Sequence, residues 1–184
     1  MDNCTVAYVT REHDGGDLMK SLIVYCSTHG TTAKAAHVLR KQIEGDVIAI
    51  NLDKTKLHSD LELFDSVIVG GSIHAGSIQA KIKKFIKENE EVLKRKNLGL
   101  FLCCMREGKE ALQQFEHVFP PGIRESAIAR GMFGGEFIFS KMNFFEKVIA
   151  KSVSGGTTDL SNLDEEAIRE FADTFNKNSK YLPV

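Results

Sequence analysis

Leu22-Ile-Val-Tyr-Cys-Ser-Thr-His-Gly-Thr-Thr-Ala-Lys-Ala-Ala36 opens as a short apolar run, breaks into hydroxyls around one glycine, and leaves as a helix. The run Leu22 to Cys26 is too short for a helix and has the length of a buried strand. Ser27, Thr28, Thr31 and Thr32 then gather hydroxyls with a row of backbone N–H groups where the next helix starts. A helix start carries unpaired donors and a partial positive charge, so it suits a phosphate. The same residues suit an ordinary strand–turn–helix connection with Thr31 or Thr32 as N-cap. His29 either carries charge to an anion below its pKa or projects outward as the variable residue of the loop.

Downstream, Ala33, Ala36, Leu39 (or Arg40) and Ile43 recur at helical spacing, which predicts a helix over 31–44 stopped by Gly45 at C′. A second strand is expected at 47–50. Residues 51–64 read as polar and irregular, with a helical turn near 59–63. A third strand at 66–70 is continuously apolar, as in a strand buried on both faces. Gly71-Ser-Ile-His-Ala-Gly-Ser77 forms a second glycine-bearing turn into a helix whose apolar stripe is Ile82, Phe85, Ile86 and Leu93. Lys81, Lys83, Lys84 and Lys87 lie mostly off that stripe, as a solvated face.

The fourth strand is expected at 97–104, followed by a third turn at 105–108. A helix over 109–119 sets Leu112, Phe115 and Phe119 on one side, and Pro120-Pro121-Gly122 stops it. The fifth strand is read at 127–133. Gly134-Gly135 interrupts it, and 136–139 extend it as a kinked continuation. Helices are then expected at 142–153, carrying Phe144, Phe145, Val148 and Ile149, and at 164–176. In the last helix Ile168, Phe171, Ala172 and Phe175 share a face, and Asp164 is the N-cap.

The chain of 184 residues is 42% hydrophobic, enough for one domain with a sizeable core. Its net charge of −1 offers no basic field for nucleic acid. No apolar run reaches the length of a membrane span. No secretory pattern is visible, and Cys4, Cys26, Cys103 and Cys104 lack metal-ligand spacing, so a reducing cytoplasm is the expected setting. Adjacent Cys103 and Cys104 are expected on opposite faces of a strand. They read as small buried hydrophobes, or as redox groups if a ligand lies near. Residues 1–18 read as an N-terminal extension, a flexible tail in preference to an extra edge strand at 5–9; residues 19–184 read as the domain.

Short apolar strands alternating with helices predict a three-layer α/β domain around an open five-stranded parallel sheet. In the order 2-1-3-4-5 the winding reverses between the first and third strands, and ligands bind beyond the carboxyl ends of the strands at that point. The three turns then converge on one sheet edge.

The sequence resembles the flavodoxin superfamily through Ser27-Thr-His-Gly-Thr-Thr32, which matches the family's FMN-phosphate loop pattern Ser/Thr-x-Thr-Gly-x-Thr in type and closely in spacing. Over about 19–178 it further resembles the menaquinone-dependent protoporphyrinogen dehydrogenases and their flavodoxin-domain relatives. That likeness lies in Val67-Ile-Val-Gly-Gly-Ser-Ile-His-Ala-Gly76, in Gly134-Gly-Glu-Phe-Ile-Phe-Ser-Lys-Met-Asn-Phe-Phe145 and in Ser154-Gly-Gly-Thr-Thr-Asp159. The resemblance implies FMN, its phosphate held by Ser27, Thr28, His29, Gly30, Thr31 and Thr32. Ser72, Ile73, His74, Ala75 and Gly76 would flank one side of the ring, and Cys103, Cys104, Met105 and Arg106 the other. Arg106 is read either as a cation beside the ring or as a surface ion-pair partner.

Two features depart from the family. Electron-carrier flavodoxins usually sandwich the ring between aromatics and are strongly acidic; this chain has no Trp and no aromatic in either ring-side turn. Protoporphyrinogen dehydrogenases carry a long basic insertion between the fourth and fifth strands, where this chain has the short, mixed-charge 106–125. The segment 142–153, with Lys141, Lys147 and Lys151, suits either core packing or peripheral contact with a membrane. Three functions are therefore weighed. One is an FMN oxidoreductase passing electrons between a redox partner protein, a quinone or a small-molecule substrate. The second is a protoporphyrinogen dehydrogenase-like enzyme using FMN and a quinone. The third is a degenerate domain acting as an interaction module. No catalytic residue and no metal site is read from the sequence.

Overall fold

The five main apolar runs of the sequence become the strands of one parallel sheet. The computed structural model describes residues 5–7, 18–27, 30–57, 60–74, 76–106, 108–137 and 160–179. The elements are β1 (Thr5–Ala7), β2 (Lys20–Tyr25), α1 (Thr31–Arg40), β3 (Asp46–Asn51), β4 (Thr55–Leu57), β5 (Ser66–His74), β6 (Ser77–Ile78), α2 (Ala80–Glu88), α3 (Glu90–Arg95) and β7 (Asn97–Cys103). They continue with α4 (Gly108–Val118), α5 (Pro121–Ser126), β8 (Ala127–Met132), β9 (Gly134–Phe137), β10 (Leu160–Leu163) and α6 (Glu165–Asn178). A short 3₁₀ turn, Leu61–Leu63, is capped by the Asp60 carboxylate. The expected helix at 142–153 lies outside the described residues.

The parallel strands run in the order β3-β2-β5-β7-β8, which is the expected 2-1-3-4-5. Alternate residues of each central strand supply the two cores. Leu22, Val24, Val67, Val69, Leu98, Leu100 and Leu102 pack against Ile82, Phe85 and Ile86 of α2, Leu93 of α3, and Ala111 and Phe115 of α4. On the other face Ile23, Ile68 and Phe101 meet Ala35, Ala36 and Leu39 of α1 and Ile168, Phe171 and Phe175 of α6. An aromatic run ties the second core together: Phe101 stacks on Phe133 at 4.9 Å between centroids, and Phe133 meets Phe171 edge-on at 5.4 Å. Asp164 caps α6 as expected, its carboxylate accepting from the Ala167 N–H at 2.9 Å.

Several local expectations are corrected by tertiary contacts. The first helix ends at Arg40, because the Leu39 carbonyl accepts from both Gln42 and Ile43 N–H and closes a tight turn. Gly45 is not its C′ residue. It lies before β3 at φ +93°, and a Cβ there would sit 2.2 Å from the Met19 carbonyl oxygen. The stripe from Ile82 to Leu93 is split between α2 and α3 at Asn89, whose side-chain amide donates to the Phe85 carbonyl at 2.8 Å. Pro120-Pro121 ends α4, but Pro121 also opens α5 at its first turn, where a missing N–H costs nothing. Leu112 does not share the buried side with Phe115 and Phe119; it is 48% exposed, and Ala111 and Val118 take the core positions.

The third strand also runs past its expected end at 70, so β5 includes Gly71 to His74. Residues 134–137 do not continue the main sheet. They form β9, antiparallel to β10, a strand absent from the sequence reading. In the N-terminal extension, Thr5–Ala7 pair in parallel with Thr55–Leu57 as a separate two-stranded sheet.

Replacing Gly45 by alanine imposes both a left-handed φ and a backbone clash, and should lower stability by about 1–3 kcal/mol. Phe133→Ala should cost more, about 3–5 kcal/mol, because Phe133 is fully buried between two rings. Urea unfolding with an unchanged m-value checks both.

Candidate site at the carboxyl edge of the sheet

Register brings the strand ends together. Tyr25 of β2 lies opposite Asn51 of β3 and Gly70 of β5, and Ser72 of β5 lies opposite Cys103 of β7. The segments after β2, β5 and β7 therefore leave from one edge, at the point where the winding reverses.

The segment after β2 enters α1 through Gly30, at φ +108° with open space where a side chain would stand. The Ser27 hydroxyl accepts from the Gly30 and Ala33 N–H groups, both at 3.2 Å. A hydroxyl has one proton and two acceptor sites, so this arrangement leaves the Ser27 proton to donate. Thr31 and Thr32 are buried, and the first turn of α1 contains no acidic residue. A positive helix end without a carboxylate is chemically suited to an anion. Thr28 and His29 lie outside the described residues.

Behind this loop stands a group that the sequence reading missed. Asn51 Oδ1 accepts from the Asp53 N–H at 2.9 Å, and Leu52 N–H donates to the Tyr25 carbonyl at 2.8 Å. This turn brings Asp53 Oδ2 to 3.0 Å from the Ser27 N–H it accepts from. Asp53 Oδ1 pairs with Lys81 Nζ at 3.2 Å, and the same ammonium donates to the Leu52 carbonyl at 2.9 Å. Burial, and then the Asp53 carboxylate beside it, push the Cys26 thiol up to about 12. The only sequence signal was Asn51-x-Asp53, a spacing suited to a side-chain-to-backbone turn.

The segment after β5 is a hairpin rather than the open turn expected at 71–77. Ile73 pairs with Ile78 and His74 with Ser77, antiparallel. Gln79 clamps it: the Ser72 N–H donates to Gln79 Oε1 at 3.1 Å, and Gln79 Nε2 donates to Ser72 Oγ at 2.8 Å. Gly71 admits this clamp, since a Cβ there would lie 2.5 Å from Gln79 Oε1. Ile73 is half-buried and Gly76 exposed. Ala75 lies outside the described residues, as does the side chain of His74. Gln79 was missed because a polar residue just before a helix carries no signal of its own.

The segment after β7 divides its residues among different environments. Cys103 is buried in the core on the α1 and α6 side, and Cys104 in the opposite core, as their adjacency requires. Burial raises the pKa of Cys104, and its thiol donates to the Arg106 carbonyl at 3.6 Å. Arg106 forms an ion pair with Glu110 at 2.6 Å, and its side chain is 47% exposed. Met105 is half-buried, and Gly135 of β9 closes on it: a Cβ on Gly135 would stand 2.9 Å from Met105 Sδ. Gly135 thus brings β9 against the third segment. Among the described residues no cluster of three His, Cys, Asp or Glu side chains could hold a metal ion.

These residues set an anion-suited helix start beside partly buried apolar side chains. The acid-free start of α1 and the Ser27 hydroxyl suit an anion; Ile73 near the end of β5 and Met105 just past the end of β7 offer apolar surface.

Comparisons with known proteins agree with this geometry. No curated protein matches the chain in sequence. Among solved structures, the flavodoxin, WrbA-like protein of Agrobacterium tumefaciens is similar at TM-score 0.55 and 16% identity, over 88% of this chain and 99% of that one. Oxidised Flavodoxin 1 of Bacillus cereus is similar at TM-score 0.53 and 17% identity, over 86% and 98%. Rubredoxin oxygen:oxidoreductase from Desulfovibrio gigas is similar at TM-score 0.54 and 16% identity, over 86% of this chain; the chain spans only 35% of that protein's length. At such identities the likeness is one of fold. A family model described as flavodoxin domain matches residues 22–164, from the first residue of β2's apolar run to the N-cap of α6, and the chain belongs to that family.

Proposed function

We propose that this protein is an FMN-binding redox domain that passes electrons between partners. The observation that carries this reading is the start of α1: an acid-free helix end, with a Ser27 hydroxyl that has a proton to donate, at the switch point of a flavodoxin sheet. Ser27, Thr28, His29, Gly30, Thr31 and Thr32 form the loop that holds the phosphate. Ser72 to Gly76 and Cys103 to Arg106 flank the ring. FMN supplies one- and two-electron chemistry; the chain's residues bind it, orient it and limit its access to water.

The flanks favour positioning over strong stacking. Ile73 and Met105 replace aromatic partners, and a thioether gives softer contacts than an indole. Gln79 holds the Ser72 end of the hairpin rigid. Arg106 is committed to Glu110, so its charge is partly neutralised beside the ring. Cys26 and Cys104 remain thiols at neutral pH and take no electrons themselves. The buried Cys26 and Cys104 thiols suit a reducing, cytoplasmic setting. Among the described residues no helix is long and apolar enough to cross a membrane, and the balanced charge offers no nucleic-acid surface.

A second reading, a protoporphyrinogen dehydrogenase-like enzyme with a quinone acceptor, is favoured by one observation. The segment that carries the resemblance to that branch, from Gly134 onward, begins against Met105 at the ring side. On this reading its start at Gly135 lies on the side from which a substrate would meet the ring.

The protein as purified, or after adding FMN, is expected to show an oxidised-flavin absorption spectrum and a raised melting temperature. A colourless preparation that gains neither would leave only an interaction module. Thr28→Ala and Thr32→Ala should each weaken FMN binding by roughly 1–2 kcal/mol, the loss of a hydrogen bond to a charged group; unchanged affinity in both would place the phosphate elsewhere. Anaerobic oxidation of protoporphyrinogen with menadione separates the two redox readings, since turnover no faster than with free FMN removes the enzyme. Alkylation at pH 8 followed by peptide mapping should leave Cys26, Cys103 and Cys104 unlabelled in the native protein and label all three after denaturation.

A further inference from the structure

The Asp53 carboxylate is an unexpected neighbour for a phosphate loop. An acidic group beside an anion site opposes binding unless its charge is met and its geometry serves another purpose. Both conditions hold here. Oδ1 is paired with Lys81 at 3.2 Å, and Oδ2 accepts from the Ser27 N–H at 3.0 Å. Lys81 reaches back to the Leu52 carbonyl at 2.9 Å, while Asn51 Oδ1 shapes the turn that presents Asp53. Three segments therefore meet at one carboxylate: the turn after β3 that bears it, the loop after β2, and the first turn of α2.

We propose that Asp53 is a positioning residue for the phosphate loop. Its acceptor fixes the Ser27 backbone, and so sets the Ser27 hydroxyl where it caps Gly30 and Ala33 and directs its proton outward. Lys81 cancels the charge that this anchor would otherwise present to the anion. The inference rests on the assignment of FMN phosphate to residues 27–32. It adds a residue outside the loop, on a different strand connection, that decides the loop's shape.

The test compares FMN with riboflavin, which has the ring but lacks the phosphate, by fluorescence titration of the intact protein. Wild-type protein should bind FMN more tightly than riboflavin; equal affinity would mean the phosphate assignment itself is wrong. Asp53→Ala should weaken FMN by about tenfold, the scale of a lost charge-assisted hydrogen bond, and leave riboflavin unchanged. Asp53→Asn keeps an oxygen acceptor for Ser27 and should restore FMN affinity to within about threefold of wild type. If Asp53→Ala weakens both ligands alike or neither, or if asparagine does no better than alanine, the positioning role is overturned. Should Asp53→Ala fail to fold, Lys81→Met carries the same comparison. It leaves the carboxylate unbalanced beside the loop, so FMN should weaken, more at low salt than at high, while riboflavin does not. An equal effect on both ligands would again overturn the proposal.

Discussion

Every residue of β7 from Asn97 to Cys103 is buried, and β2 and β5 are nearly so. Strands with no face toward water must be covered by helices on both sides, which only parallel crossovers supply in a chain of this length. Burying one such Leu, Ile or Phe is worth about 1.5–3 kcal/mol, so the two cores outweigh any local preference along the connections. Parallel crossovers have a further effect. Each strand must hand its chain to a helix at the same edge, so β2, β5 and β7 all release their following segments there. The site is a consequence of covering the sheet.

Within that frame, close approaches set the details. Gly45 lies against the Met19 carbonyl, Gly71 against Gln79, and Gly135 against Met105. Each brings two segments nearer than a Cβ would permit. The second and third segments of the site are shaped in this way, by the Gln79 clamp on one and the approach of β9 on the other. The first is shaped by hydrogen bonds, through Ser27 and Asp53. A flavin-binding protein orients a cofactor that carries the chemistry, a task for turns fixed by such contacts.

Much of this was legible in residue order. Leu22 to Cys26 and Ser66 to Gly70 announce buried strands by length and unbroken apolarity. Ser27 to Thr32 announce a hydroxyl-rich helix start, and Asp164 with Ile168, Phe171 and Phe175 announces a capped amphipathic helix. These signals are local, because period and capping depend on residues within a few positions of one another. Leu112 shows the limit. Its spacing from Phe115 and Phe119 fits a helical face, yet Ala111 and Val118 join those two rings in the core and Leu112 is left exposed, a choice made by what the helix packs against.

What the sequence by itself determined is the alternation of strands and helices, the two-faced burial of the sheet, and the loop at 27–32 as its anion-suited turn. What only the tertiary structure decided is the company that loop keeps. Asp53 is 26 residues from Ser27, and Lys81 is farther still, so no periodicity links them. The pairing of β9 with β10 and the approach of β9 to Met105 likewise join distant segments. Hydrogen bonds and ion pairs of that kind are chosen by register and packing after the chain has folded, and their partners leave no local pattern in the order of residues.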